Sequence, residues 1–215
     1  MTFVLRLHAD RMDAGATLDL AAGAVRAVYV EAGHVNAAAF GTVASLAANS
    51  AWFGASMASL HAGAEGARLL RFEFVAAGQG RGGLLTSSEL SFDPKGEWLL
   101  RCDRVEFPPG GIAYRHTHQG PGLRCLVAGS IRIETGGGGK DYGLGQAWFE
   151  NGVDPVLARA SARETTAFIR VMVLPRAVLG KSSIRYVDEA DKDKPRVQRY
   201  QIYIDQPIAL PGSAP

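Results

Sequence analysis

The sequence predicts an all-β protein in which one β unit occurs twice. Two observations lead to this prediction. The 215 residues include 26 glycines, and many of them separate short runs rich in valine, leucine and phenylalanine, a pattern that favours short strands and tight turns over helices. The landmarks of one such stretch also return further along the chain at a fixed spacing, as a duplicated structural unit requires.

The repeat consists of residues of different chemical types. A turn glycine, the β-branched residue that follows it and a tryptophan recur 96 residues later, and an arginine inside an apolar strand recurs 99 residues later. The pairs are Gly33 and Gly129, Val35 and Ile131, Trp52 and Trp148, and Arg71 and Arg170. Because the tryptophans and arginines occur in both copies, we predict that they serve the structure, with the tryptophans as core anchors.

Composition places the chain among ordinary globular proteins. Hydrophobic residues make up 47% and charged residues 20%, and the net charge of +2 gives no reason to expect nucleic-acid or membrane partners. The first residues are interrupted by Arg6, Asp10 and Arg11, and no run approaches the ~20 apolar residues of a membrane span. We therefore predict a cytoplasmic protein. Cys102 and Cys125 lack metal-type spacing and are predicted to be buried and reduced, with a disulfide as the alternative.

Residues 110–129 contain the only close pair of histidines. Side chains two apart in a strand point to the same face, so His116 and His118 offer two imidazoles to one small ion, and Tyr114 would share that face. The glycine- and proline-containing turn at 119–122 is followed by an apolar run at 123–127, which predicts a returning strand. Three further histidines, His8, His34 and His61, are predicted to lie at the surface or in loops.

The spacing of Gly110, His116, His118 and Gly129 resembles the first motif of the cupin superfamily. Gly122 stands where that motif has a glutamate. The second cupin motif is matched only by Gly152, and Pro155 stands where it has its histidine.

This resemblance implies two tandem cupin barrels, that is, double-stranded β-helices of jelly-roll type. We predict a degenerate first barrel at 1–83, which ends in a glycine-rich linker at 76–83, a second barrel with the candidate site at 84–175, and an extension at 176–215. Shifting His116 and His118 back by 96 residues gives Leu20 and Ala22, so any site is confined to the second copy. The first copy would be structural or dimerising, and the resemblance favours a homodimer.

Two carboxylates lie where the second cupin motif would deliver its ligand. Glu150 or Asp154 would complete a set of two histidines and one carboxylate around a divalent ion such as Fe, Zn, Mn or Ni. The alternative for Asp154 is a turn cap before Pro155. The alternative for His116 and His118 is a hydrogen-bonded pair without metal.

The inward alternation continues past the turn to Gly122 and Arg124. Gly122 is expected to leave empty space into which Arg124 reaches, and an arginine there would hold an anionic substrate. The alternative is a buried ion pair with Glu150 or another carboxylate. Tyr114 is a candidate for donating to a bound ligand, with a role in the barrel core as the alternative.

Two functions follow from these residues. The first is a metal-dependent enzyme of oxygenase type that acts on a small anionic substrate in the second barrel. The second is a barrel that binds a small molecule without metal or catalysis. The alternating run at 197–204 predicts a late strand that closes a barrel edge or lies across a second subunit.

Overall fold

Residues 1–78 and 85–212 are described by a computed structural model, and they confirm the all-β prediction. The regular elements of these residues are all strands, apart from two short 3₁₀ turns at Arg176–Val178 and Glu189–Asp191. No helix within them is long and apolar enough to cross a membrane.

The first compact unit runs from Met1 to Gly96 and includes the residues from Ile208 on. Its seven strands are β1 (Thr2–Met12), β2 (Thr17–Leu20), β3 (Ala24–Ala39), β4 (Thr42–Ala47), β5 (Ser50–Gly54), β6 (Ala58–Ala76) and β7 (Thr86–Ser91). They form one sheet in the order β4-β3-β6-β1-β7, with β2 paired to β6 and β5 paired to β3. Val28, Leu60 and Leu69 are fully buried in its core.

The second compact unit runs from Glu97 to Pro207. Its strands are β8 (Trp98–Phe107), β9 (Ile112–His118), β10 (Gly122–Ala128), β11 (Ile131–Thr135), β12 (Gly138–Tyr142), β13 (Ala147–Glu150), β14 (Val156–Ala160), β15 (Thr166–Pro175), β16 (Ile184–Tyr186) and β17 (Arg199–Ile208). They form two five-stranded sheets, β13-β10-β15-β8-β17 and β12-β11-β14-β9-β16. Strand β15 is an almost continuous apolar run, as expected for a strand buried on both faces.

The compact units differ from the bounds predicted from sequence. The predicted boundary at residue 83 and residues 79–83 of the predicted linker lie outside the described residues. The units divide between Gly96 and Glu97, because β7 pairs with β1 and thereby joins the first unit. Residues 176–207 lie within the second unit, where β17 forms an edge strand beside β8. Of the two alternatives for the late strand, this is the barrel edge.

The repeated residues occupy equivalent positions in the two sets of strands. Trp52 on β5 pairs with Val28 on β3, and Trp148 on β13 pairs with Arg124 on β10, which is 96 residues after Val28. Arg71 also pairs with Val28, as Arg170 pairs with Arg124. Gly33 and Gly129 both have a left-handed φ, 79° and 69°, which favours glycine at each turn. Trp148 is buried in the core of the second unit, and Trp52 is half-buried against the core of the first unit.

A buried ionic cluster lies in the first unit. Glu73 accepts from Arg26 and Arg6 and lies 2.7 Å from Arg71, and all four side chains are at most 12% exposed. His8 is also buried and lies 3.5 Å from Glu73, so the prediction of a surface or loop position for His8 is wrong. Strands β1, β3 and β6 place these residues side by side, because Arg6 and Arg26 both pair with Glu73. We call these five residues the Glu73 cluster.

Candidate functional site

His116 and His118 both point into the second unit. They are 5% and 7% exposed, and a β-bulge in β9 sets their direction. Val156 and Ala158 of β14 are two residues apart, but their partners in β9, His116 and Ala113, are three residues apart. Strand β9 therefore has one extra residue at this point. The bulge brings Ala113 and His116 to the same buried face, and His118 follows by ordinary alternation.

The same bulge overturns the prediction for Tyr114. Strict alternation would place Tyr114 beside His116, but the extra residue removes its side chain from the cavity that contains the histidines. The centre of its ring instead lies 4.5 Å from the Nζ of Lys194. Tyr114 contributes its backbone carbonyl oxygen to the site, which accepts from Nδ1 of His116 at 2.7 Å.

That hydrogen bond fixes the tautomer of His116. A carbonyl oxygen only accepts, so Nδ1 carries the proton and Nε2 presents its lone pair. Nε2 of His116 lies 3.2 Å from Nε2 of His118, with the rings nearly perpendicular. Ser183 Oγ lies 3.4 Å from Nδ1 of His118.

Burial keeps both imidazoles neutral. It lowers the pKa of His116, although the hydrogen bond to Tyr114 and the charge of Glu150 oppose the shift. It lowers the pKa of His118 much further, and the charges of Arg170 and Arg124 add to this effect. Neutral imidazole is the form that ligates metals.

Glu150, at the end of β13, faces the histidines. Its Oε1 accepts from Trp148 Nε1 at 2.8 Å, whereas Oε2 lies 3.4 Å from His118 Nε2 and 2.7 Å from a nitrogen of Arg124. Within the described residues, Oε2 is buried and has no partner in hydrogen-bond geometry, so its contact with Arg124 is an ion pair only.

Arg124 forms the buried ion pair that was predicted as the alternative to holding an anionic substrate. It is 1% exposed, forms the ion pair with Glu150 and donates to the carbonyl oxygen of Gly122 at 2.6 Å. Burial lowers its pKa to about 10, with the charge of Glu150 opposing the shift. Arg124 is therefore charged at neutral pH, and its charge is already matched by Glu150.

The expectation of empty space at Gly122 is wrong. A Cβ added there would meet the carbonyl oxygen of Val171 and lie 2.7 Å from Met172 Cγ. Strands β10 and β15 approach so closely at this point that only glycine fits. The replacement of the cupin glutamate by Gly122 therefore leaves no room for another group.

Asp154 is not part of the site. It is exposed and closes a turn, in which Asn151 Nδ2 donates to its carboxylate at 2.7 Å and its own backbone N–H donates to Asn151 Oδ1 at 2.9 Å. This is the turn-cap alternative, and it overturns the prediction of Asp154 as a metal ligand.

A second buried ion pair lies beside the histidines and was not predicted. Arg170 donates to both carboxylate oxygens of Asp103, at 2.9 and 2.6 Å, and its guanidinium lies 6.0 Å from the ring centre of Tyr200. The sequence signal was Arg170 itself, which we predicted to be structural. Its partner could be identified only once β8 and β15 were paired.

The cavity between these groups is small. His116, His118, Arg124, Glu150 and Arg170 line a volume of about 20 Å³, which is room for about one water molecule. A larger pocket of about 670 Å³ lies next to it in the same unit and shares Arg170, Ile184 and Tyr200 with it.

The distances allow a metal ion, although the set is minimal. Two atoms that each lie about 2.1 Å from one ion at bond angles of 90–109° are about 3.0–3.4 Å apart. The separations of His118 Nε2 from His116 Nε2, 3.2 Å, and from Glu150 Oε2, 3.4 Å, agree with this range. Across residues 1–78 and 85–212, however, no group of three or more His, Cys, Asp and Glu residues is placed so that it could hold a metal ion.

Comparison with solved structures identifies the fold. The chain is similar to AerE from Microcystis aeruginosa, with a TM-score of 0.63 and 12% identity over 80% of this chain and 88% of that one. It is also similar to oxalate decarboxylase from Bacillus subtilis, with a TM-score of 0.67 and 11% identity over 89% and 72%. A cupin 2 conserved barrel domain protein from Leptotrichia buccalis matches with a TM-score of 0.51 and 13% identity over 80% and 83%.

No family model and no curated protein sequence matches the chain. At these identities the structural neighbours show the fold alone. The chain has the cupin fold, as the spacing of Gly110, His116, His118 and Gly129 implied.

Proposed function

We propose that the second unit is a metal-dependent enzyme of oxygenase type that acts on a small anionic substrate. His116, His118 and Glu150 would hold one divalent ion, such as Fe, Zn, Mn or Ni. The observation that supports this most strongly is the pair of Nε2 atoms, buried and 3.2 Å apart, on imidazoles that are both neutral.

The residues around the ligands orient them. The Tyr114 carbonyl holds His116 in the tautomer that ligates through Nε2, and metal-binding histidines commonly donate their other ring N–H to such an acceptor. The indole of Trp148 holds one oxygen of Glu150 and leaves the other facing His118. An ion held by two histidines and one carboxylate keeps open positions at which it polarises a substrate oxygen or activates O₂.

In this proposal Arg124 acts as a positioning residue. It lies 2.7 Å from the same oxygen of Glu150 that a metal ion would use, so it orients the carboxylate and competes for it. The Arg124→Met variant removes that competitor and is expected to bind metal more tightly than the wild type, by about tenfold or more. Equal metal affinity in a correctly folded variant would show that Arg124 does not compete.

The structural neighbours supply limited support for the substrate class. One of them is named as an oxalate decarboxylase, whose named substrate is a small dicarboxylate. This agrees with a small anion as substrate and with the cationic surroundings of Glu150. On the sequence grounds given above, we also propose that the protein is cytoplasmic and forms a homodimer.

A second candidate function is a metal-free barrel that binds a small ligand. The specific observation in its favour is the ion pair between Arg124 and Glu150, which already matches the charge of the carboxylate. In this case His118 donates to His116, and the two imidazoles need no ion between them.

Elemental analysis of untagged protein separates the two functions. Wild type is compared with His116→Ala/His118→Ala and, as a matched control, with His34→Ala/His61→Ala, which removes two histidines of the first unit that hydrogen-bond to Ser45 and Thr17. The proposed enzyme predicts near-stoichiometric metal in wild type and control and none in the His116/His118 variant. Absence of metal from all three, even after reconstitution with Fe(II), Zn(II), Mn(II) and Ni(II), would leave the ligand-binding barrel.

A further inference from the structure

The large pocket of the second unit carries an unusual excess of positive charge. Six cationic side chains line its volume of about 670 Å³, against one carboxylate, that of Asp103. The six are Arg101, Arg170, Lys181, Arg185, Lys192 and Arg196. Pockets of this volume are typical of small-molecule sites.

Three of the six cations already have acidic partners. Arg101 donates to Asp205 at 3.0 and 2.8 Å, Arg170 is bound by Asp103, and Lys192 lies 2.5 Å from Glu189. In each of these pairs the acidic partner balances the positive charge, so the three pairs add no net charge to the pocket.

The other three cations have no acidic partner among the described residues. Lys181 donates to the carbonyl oxygen of Ala177, and Arg185 donates to the side-chain oxygen of Gln119 at 2.7 Å. The guanidinium of Arg196 lies 5.4 Å from the ring centre of Tyr186, an arrangement that holds the cation in place without neutralising it. The pocket therefore has three unmatched positive charges around one opening.

The remaining wall is apolar and aromatic. Ile184 on β16, and Tyr200 and Ile202 on β17, line the pocket, and the last two are 44% and 51% exposed. Large exposed side chains next to unmatched charges are the combination that an amphipathic ligand would cover. Because Tyr200 and Ile184 also border the histidine cavity, a ligand here would lie at the entrance to that cavity.

We propose that this pocket binds a small organic anion, with its carboxylate or phosphate held by Lys181, Arg185 and Arg196 and its apolar body packed on Tyr200 and Ile202. Arginine presents paired N–H donors that suit either acidic group. This assigns a substrate class to the proposed enzyme and in that sense rests on the proposed function.

Calorimetric titration tests the proposal. Metal-free protein, prepared with EDTA, is titrated at low ionic strength with benzoate, with phenyl phosphate and with the uncharged benzyl alcohol. The same titrations are made on Arg185→Gln/Arg196→Gln and on a matched control, Lys140→Gln/Arg163→Gln, which removes two exposed cations of the same unit outside the pocket.

At least one anion is expected to bind the wild type with 1:1 stoichiometry, and benzyl alcohol at least about tenfold more weakly. The Arg185/Arg196 variant should lose at least about tenfold in affinity and the control should not change. The tighter of the two anions identifies the acidic group. Absence of binding by both anions at millimolar concentration, or equal binding by the Arg185/Arg196 variant, would overturn the proposal.

The design keeps this result separate from the metal result. Because the titrations use metal-free protein, anion binding is measured whether or not the histidines hold an ion. The His116→Ala/His118→Ala variant should bind the anion as the wild type does, since neither histidine lines the large pocket. Loss of anion binding in that variant, in a correctly folded protein, would also contradict the assignment to this pocket.

Discussion

The two units bury their charges in different ways on equivalent strands. In the first unit, one carboxylate, Glu73, is surrounded by Arg6, Arg26 and Arg71. In the second unit, the buried charges beside the histidines form two separate pairs, Asp103 with Arg170 and Glu150 with Arg124. Both oxygens of Glu73 are held by arginines, whereas Oε2 of Glu150 has one ion pair and faces an imidazole.

A single exchange of residues accounts for much of this difference. Arg26 pairs with Gly54 in the first unit, and at the positions 96 residues later Gly122 pairs with Glu150. A Cβ at Gly54 would collide with the ring of Trp52, whereas Trp148 donates to Glu150. In the first unit the ring of Trp52 therefore covers the end of the strand at Gly54. In the second unit Trp148 instead donates a hydrogen bond to the carboxylate at the equivalent position.

The largest effect is expected for Glu73→Gln. Removing the charge leaves three buried guanidiniums without their shared partner, and the free energy of unfolding should fall by about 3–5 kcal/mol. Urea denaturation measures the loss, with Glu65→Gln, an exposed site in the same unit, as the control that should change by less than about 0.5 kcal/mol. A loss equal to that of the control would show that the cluster contributes no net stability.

The same carboxylate should make the first unit sensitive to acid. Burial alone would raise the pKa of Glu73, but the nearby His8, the hydrogen bonds from Arg26 and Arg6 and the charge of Arg71 outweigh it and lower the pKa well below 4.5. The unfolded chain therefore takes up this proton at higher pH than the folded chain does. The stabilisation is present above the ordinary glutamate range and is lost as pH falls below it. Urea midpoints measured as pH falls should decline more steeply for wild type than for Glu73→Gln, and parallel declines would contradict this.

The two repeated arginines should respond unequally to loss of their aspartates. Asp103 is 2% exposed and is the acidic group that binds both nitrogens of Arg170, so Asp103→Asn should cost about 3 kcal/mol. Asp10 is 19% exposed and Arg71 retains Glu73, so Asp10→Asn should cost about 1 kcal/mol. Chemical denaturation of the pair measures both values. Equal losses would show that the ionic environments of the two units are equivalent.

A smaller effect than at Glu73 is expected at Gly122, where two strands approach closely. Gly122→Ala places a methyl group against the backbone of β15 and should cost about 1–3 kcal/mol through overpacking. Gly138→Ala is the control, because its nearest atom, the carbonyl oxygen of Thr135, is 4.0 Å away. Equal stability of the two variants would contradict this prediction. It would show that β10 and β15 can move apart at little cost in free energy.

The fold could be predicted because its signals lie at fixed spacing in the sequence. The spacing of the repeated glycine, tryptophan and arginine can be recognised before the pairing of the strands is known. The spacing of the two histidines and their flanking glycines implied the cupin fold. The direction of Tyr114 could not be predicted in this way, since one extra residue in a bulge reverses the alternation. Gly122 showed the same limit, because close approach of two strands is a property of their pairing.

The site was predicted in part for a related reason. His116, His118 and Arg124 meet because β9 and β10 are joined by a short turn, and Glu150 lies beside them because β13 pairs with β10. Asp154, only four residues from Glu150, turns outward because its carboxylate and backbone are satisfied within its own turn. The cations of the large pocket come from β8, β15, β16 and the segments before β16 and β17, and their proximity depends on the placement of two different sheets.

The strand order of the second unit also affects how the chain folds as it is synthesised. Strand β8 is made first, yet its neighbours are β15 and β17, which begin about 70 and 100 residues after β8 begins. Until β17 has been synthesised, one edge of this largely buried strand has no native partner. For most of its synthesis the second unit therefore has an uncovered strand edge. In that state chaperone binding and aggregation compete with folding.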